Sequence, residues 1–287
     1  MVAAPAGAAV AVSVAPLREL AGHLLRRTAP GSRRALRGMF GVDGPHGHPN
    51  RRPACGVLRS TAEVDEAVAE VRRLGLPPHG TPPKNWDSLV ALDQVLRHTS
   101  RRARVFDAGG AYYSRILPWL GLYGYTHLTA GNLDFDAPGT RGAITYLPMD
   151  LTRTPFADAS VDAATCLSVI EHGVDLAACF REMARILRPG GVLVTSTDFW
   201  PEPVDTRGQT ACGAPIRILT PADVHAAVAE AGRHGLELVA PLDLAAGEPV
   251  VHWRLYDLRY TFVVFTMRRR SRVGARLKPW QDPAHDA

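Results

Sequence analysis

From Arg104 to Met267, short apolar runs alternate with segments of helical periodicity, and that alternation restricts the chain to one fold class. The runs Arg104–Ala108, Thr126–Ala130, Ala143–Leu147, Val161–Leu167, Val192–Thr197, Leu236–Leu242 and Tyr260–Met267 read as seven strands. Helices fall between most of them, notably Asp175–Leu187 and Pro221–Arg233, the second with Thr220 as N-cap. Strands alternating with helices predict an α/β fold: a Rossmann-like, seven-stranded, mostly parallel sheet with helices on both faces. An N-terminal helical extension precedes it. Ser60-Thr61-Ala62-Glu63 forms a capping box, and Val64, Val68 and Val71 follow at helical spacing. Gly75 ends that helix, and a second runs from about Asn85 to His98 with Trp86, Leu89, Leu92 and Leu96 on one side.

Three segments follow from this pattern: a loose N-terminal extension over 1–58, an α/β domain over 59–270, and a basic C-terminal tail over 271–287. The first is rich in Ala, Gly and Pro, and Gly44-Pro45-His46-Gly47-His48-Pro49 is turn chemistry. His46 and His48 lack a third ligand, so they read as a solvated loop rather than a metal site. The Val2–Leu17 stretch contains Pro5, has no positive leader and is too short to span a bilayer, so no membrane partner is expected. Cys55, Cys166, Cys179 and Cys212 are far apart and form no Cys-x-x-Cys pair. Free thiols of this kind suit a reducing cytoplasm, and Cys166 and Cys179 sit in apolar surroundings that favour packing over chemistry. The net charge of +5 is spread over Arg pairs at element ends with no interleaved aromatics, which argues against a nucleic-acid groove. The oligomeric state is not legible.

One segment points to a ligand. Arg104-Val105-Phe106-Asp107-Ala108-Gly109-Gly110 is a strand, an acid near its carboxyl end, and a glycine turn. In a doubly wound sheet ligands bind at that edge, where glycine lets the backbone approach them. Dinucleotide binding would call for G-x-G-x-x-G, but the run here is Gly-Gly-Ala-Tyr-Tyr-Ser, and there is no Walker Gly-Lys-Ser/Thr. Downstream, the order is Asp150-Leu151, then Pro155-Phe156-Ala157-Asp158-Ala159-Ser160-Val161-Asp162 leading into Cys166-Leu167-Ser168-Val169-Ile170-Glu171-His172. A helix through Glu182-Met183 then stops at Arg188-Pro189-Gly190-Gly191.

In this order the motifs resemble the class I S-adenosylmethionine-dependent methyltransferase superfamily, of the type 11-like methyltransferase domain, over about Arg104 to Asp198. The flanks Lys84-Asn85-Trp86-Asp87, Ser196–Trp200, Val204-Asp205-Thr206 and Tyr260-Thr261-Phe262 resemble an uncharacterised subgroup linked to glycan or natural-product pathways. The resemblance implies S-adenosyl-L-methionine as cofactor. It implies that Asp107, Gly109 and Gly110 line the methionine end of that cofactor. Asn132 stands where an acid usually grips the ribose, with Asp134 as a substitute. Asp150 would accept from the adenine amino group beside the Leu151 backbone, and Ser168 and Val169 would lie near the sulfonium. Ala111 and Tyr113 replace glycines of the family pattern.

Methyl transfer from a sulfonium is an in-line displacement in which the protein aligns the acceptor and, where needed, removes its proton. His172 is the candidate base, with Glu171 and Asp198 as further catalytic candidates; capping of the next helix is the other reading of His172. Relatives with Glu-x-x-Glu-His at this place bind a divalent cation, but Ser168 stands at the first position, so no metal is expected. Trp86, Trp200, Asp205 and His252 are the candidate acceptor contacts, and the segments around His79–Lys84 and His252-Trp253 are expected to close over them. A small-molecule O or N acceptor, a sugar or natural-product intermediate, fits that mixture of aromatics and acids. The alternatives are a cofactor-binding protein without methyl transfer, and a protein or RNA methyltransferase.

Overall fold

The computed structural model describes residues 32–211 and 213–271. Val2–Leu17, Arg26-Arg27, Cys212 and all but the first residue of the basic tail lie outside the described residues. In chain order, α1 (Ser32–Phe40) and β1 (Cys55–Val57) precede α2 (Thr61–Arg73) and α3 (Lys84–His98). Then come β2 (Arg104–Ala108), α4 (Ile116–Leu122), β3 (His127–Asn132), β4 (Gly139–Arg141), β5 (Ile144–Pro148), β6 (Val161–Leu167), α5 (Leu176–Ile186) and β7 (Leu187–Phe199). A small ribbon of β8 (Thr210–Ala211) and β9 (Ala214–Pro215) leads to α6 (Pro221–Arg233), β10 (Leu236–Leu238), β11 (Val251–Trp253) and β12 (Leu258–Arg269).

The sheet order is β1-β12-β7-β6-β2-β3-β5-β4, with β10 and β11 also pairing on β12. Six of the seven expected strands run through its centre and the seventh, β10, pairs on β12 off this path; β1, β4 and β11 are additions. Strands β5, β3, β2, β6 and β7 run parallel, and β12 lies antiparallel to β7 and β10. From β2 the chain builds outward through β3 to β5, then returns to β6 on the other side of β2. That reversal is a topological switch point, and the crevice above the carboxyl ends of β2 and β6 is where such sheets hold ligands.

Local chemistry explains most element ends. Thr220 and Asp223 make a reciprocal capping box at α6, and Asp175 caps α5 by accepting from the Ala178 amide at 3.1 Å. At α2 the box is incomplete: Ser60 accepts from the Glu63 amide, but the Glu63 carboxylate takes the Arg59 amide, one residue early. Arg188–Gly191 stops α5 as expected and then bulges within β7, since Leu187 pairs with Val161 and Val192 with Ala163. Apolar cores cover both faces, one under α3 and α4 around Trp119 and Leu89, the other under α5 and α6 around Phe180 and Phe265. Cys166 and Cys179 are buried in the second core, and burial pushes the Cys179 thiol up to about 12, far from reactive.

Two expectations are corrected. The segment read as loose over 1–58 carries, in its described part, helix α1 with Leu36 in the core and strand β1 paired with β12. Three residues among turn signals show no periodicity, so only the free edge of β12 reveals them as a strand. The strand read as Leu236–Leu242 ends at Leu238, and its last backbone bond to β12 runs from the Val239 amide to the Thr266 carbonyl.

Candidate functional site

A cavity of about 520 Å³ opens at the switch point. Its floor is the end of β2 and the glycine turn, with Asp107, Gly109 and Gly110. Ser168, Glu171 and His172, just past β6, form one wall, and Asp198 at the end of β7 meets Tyr260 and Phe262 of β12 in another. The loop before α3 brings His79, and α3 itself Lys84; β11 adds His252 and Trp253.

The glycine turn is tightly specified. The Gly109 amide donates to the Gly131 carbonyl at 2.7 Å, and the Asn132 amide group donates to the Gly109 carbonyl at 3.1 Å. Gly109 has φ +79, and a methyl group there would overlap Val169. At Gly110 a methyl would overlap the Asp107 carboxylate, so this glycine leaves the acid its place in the cavity.

Asp107 is buried with one satisfied oxygen. Thr165 Oγ1 donates to its Oδ1 at 2.6 Å, while Oδ2 has no partner. Burial pushes its carboxyl up to about 7, with the Thr165 hydrogen bond and the Lys84 charge opposing. Glu171 repeats the pattern: Thr197 Oγ1 donates to Oε2 at 3.0 Å, and Oε1 is buried without a partner. Burial raises its carboxyl too, against the attraction of His172. Asp198 is raised further, first by burial and then by the neighbouring Glu171 charge. Orphaned carboxylate oxygens beside a cavity are expensive unless a ligand supplies the missing partner.

On the opposite side, Lys84 forms an ion pair with the fully buried Asp87, donates to Ser168 Oγ at 2.8 Å and lies over the Phe262 ring. Ser196 Oγ donates to the same Asp87 oxygen at 2.6 Å. Ser168 has φ +53, a left-handed conformation that costs a non-glycine residue energy; the Lys84 contact and the bond from its amide to the Ser196 carbonyl hold it there. His79 receives the Thr81 amide on Nδ1 at 3.0 Å, which places the ring proton on Nε2. Burial and the Lys84 charge lower its pKa to about 4, so it is a neutral donor rather than a base near pH 7.

The cavity therefore unites Asp107, Gly109, Gly110, Ser168, Glu171, His172, Asp198 and His252 from the sequence reading. Other candidates lie elsewhere. Asn132 is occupied at both ends, donating to Gly109 and accepting from the Asp134 amide at 3.0 Å. Asp150 is turned onto its own loop, accepting from the Thr152 amide at 2.8 Å and hydroxyl at 2.7 Å, and the Leu151 side chain is in the core. Val169 packs against the Gly109 backbone. Trp86 is buried in the core under α3, Trp200 packs at its margin, and Asp205 is exposed and closes a turn by accepting from the Arg207 amide. Trp86, Trp200 and Asp205 are thus removed from the cavity lining, because packing and turn formation claim them first. Not anticipated were the Asp87–Ser196 support of Lys84 and the presence of Arg115. The only trace in sequence is the i, i+3 pairing of Lys84 with Asp87.

Among the described residues, no three His, Cys, Asp or Glu side chains converge as a metal site, and no helix is long and apolar enough to cross a membrane. The sheet order, the switch-point cavity and its glycine turn define a Rossmann-like α/β domain with the sheet found in methyltransferases. Residues 123–195 match the family model described as "Methyltransferase domain". An uncharacterised methyltransferase of Mycolicibacterium gilvum (strain PYR-GCK) is 32% identical over 122 residues, 40% of this chain and 48% of that protein. A demethylmenaquinone methyltransferase of Mycobacterium marinum (strain ATCC BAA-535 / M) is 45% identical over 58 residues, 20% of this chain and 25% of that protein. The chain thus spans about half the length of the first of these curated relatives and a quarter of the second. Geranyl diphosphate C-methyltransferase from Streptomyces coelicolor A3(2), crystallised with Mg2+, geranyl diphosphate and S-adenosyl-L-homocysteine, superposes with a TM-score of 0.51 at 20% identity. That match covers 85% of this chain and 100% of the other, and shows the common fold.

Proposed function

We propose that this protein transfers the methyl group of S-adenosylmethionine to an oxygen or nitrogen of a small molecule, a sugar or natural-product intermediate. The observation that carries the reading is one cavity joining the Asp107–glycine turn to Glu171, His172 and Asp198. The residues fit the cofactor: Gly110 keeps a cradle open beside Asp107, and the orphaned Asp107 Oδ2 calls for a cationic or donor group. Asp107, Gly109 and Gly110 would hold its amino-acid end, and Ser168 would lie beside the reacting centre. When bound, the cofactor supplies a methyl group already activated on a sulfonium. What remains for the protein is alignment and proton removal. In this reading His172 would accept a proton from the acceptor, the His79 Nε2–H would hydrogen-bond an oxygen in the cavity, and Trp253 and Tyr260 would exclude water; all four line the cavity. A reducing cytoplasm is the setting the free thiols suit.

Calorimetry with S-adenosylhomocysteine tests the cofactor half; an absence of heat at high micromolar ligand overturns it. Methyl-labelled S-adenosylmethionine with a cell extract tests the acceptor half. Label in the small-molecule fraction is expected, whereas label confined to protein or RNA, or no transfer at all, refutes the proposed acceptor. Gly110→Ala is expected to lower S-adenosylhomocysteine affinity at least about tenfold, because the new methyl displaces the Asp107 carboxylate. Unchanged affinity in that variant would remove Asp107 from the cofactor site.

A further inference from the structure

The geometry points to the Glu171–Asp198 end of the cavity as a binding site for a protonated amine carried by the acceptor. This rests on the methyltransferase reading for what occupies the glycine-turn end. Two carboxylates from different strands meet there, Glu171 after β6 and Asp198 at the end of β7. Glu171 is only 1% exposed, yet its Oε1 has no hydrogen-bond partner. A buried carboxylate with one oxygen held by Thr197 and the other orphaned lacks a donor, and an ammonium group brings up to three.

The nearby cations do not fill that role. Lys84 is engaged by Asp87 and Ser168, and Arg115 donates its Nε–H to the Pro78 carbonyl at the glycine-turn end. Aromatic walls complete the setting, since Tyr260 and Trp253 line the same cavity, and cations are attracted to such ring faces. An anionic acceptor would meet two carboxylates instead.

The groups that face this pair are Lys84 and Asp87 of α3, His172 beside Glu171, and Tyr260 of β12. Burial raises both carboxyls and the Glu171 charge raises Asp198 further, and an arriving ammonium pulls both back toward the ionised form. Amine binding therefore releases a proton to the buffer.

The test is calorimetry of the full chain with benzylamine and, as its neutral counterpart, benzyl alcohol, with and without S-adenosylhomocysteine. The amine is expected to bind at least about tenfold more tightly than the alcohol. Its observed heat should depend on the ionisation enthalpy of the buffer. Glu171→Gln keeps the size and the Thr197 hydrogen bond but loses the charge, and should close the gap between amine and alcohol. Should that variant fail to fold, Asp198→Asn is read the same way. Equal affinities, no binding at millimolar amine, or an amine preference that survives Glu171→Gln overturns the inference. Failure of S-adenosylhomocysteine to bind, with the amine preference intact, refutes the cofactor reading instead.

Discussion

Replacing Asp107 with asparagine is expected to stabilise the ligand-free protein at about pH 8 while costing it most of its cofactor affinity. The carboxyl titrates near 7 in the folded protein against a reference of 3.8. A folded-state pKa raised in this way means the native protein binds the extra proton between those two values. Stability therefore falls as pH rises through that window, and the full penalty is present above about 7. Roughly three units correspond to a penalty on the order of 4 kcal/mol, the cost of ionising a buried carboxylate with one orphaned oxygen. Asparagine keeps the Thr165 contact and removes the charge, so a gain of about 2–4 kcal/mol is expected at pH 8, shrinking toward zero near pH 4. Urea unfolding at both pH values measures it, and an equal effect at the two would refute the titration. A cationic ligand reverses the balance by stabilising the ionised form. Affinity for S-adenosylmethionine should consequently weaken below about pH 7 in the parent protein and lose that dependence in Asp107→Asn.

Lys84→Met is expected to destabilise the protein by about 3–5 kcal/mol, since it strands the fully buried Asp87 carboxylate. Ser196 and Ser88 would remain as donors to Asp87, but two hydroxyls do not replace an ammonium. Adding Asp87→Asn to Lys84→Met removes the unpaired charge and should recover more than half of the loss, a coupling that denaturant unfolding of the double-mutant cycle measures. A single-variant loss below about 1 kcal/mol would show that the pair is dispensable. The same substitution removes one of the two contacts that hold Ser168 in its left-handed conformation, which ties the stability of α3 to the shape of the cavity wall.

Much of the scaffold was legible because its signals are local. Arg104–Ala108 and Val161–Leu167 are apolar runs long enough to be read as strands, and both have those bounds in the fold. Thr220 with Asp223 announces the start of α6 through side chains that satisfy the helix's own free amides. Gly109 and Gly110 were legible as a close-approach turn, and the reason proves specific: Val169 presses on the first and Asp107 on the second. Residues Glu171, His172 and Asp198 were recognised from the motifs, but nothing in their spacing says that a strand end and a loop from neighbouring strands form one acidic pair.

The chain's own order of apolar runs, glycines and caps determined the sheet, its parallel strands and the edge where a ligand enters, because each depends on neighbours within a few residues. Only the tertiary structure decided which polar groups remain free to meet a ligand. Asn132 is bonded at both ends of its side chain, Asp150 commits one carboxylate oxygen to its own loop, Trp86 is taken by the core, and Lys84 reaches Ser168 across the cavity. Those outcomes depend on strand register and on which hydrogen-bond partner lies closest in space. A carboxylate's spare oxygen becomes visible only after every other donor has been assigned.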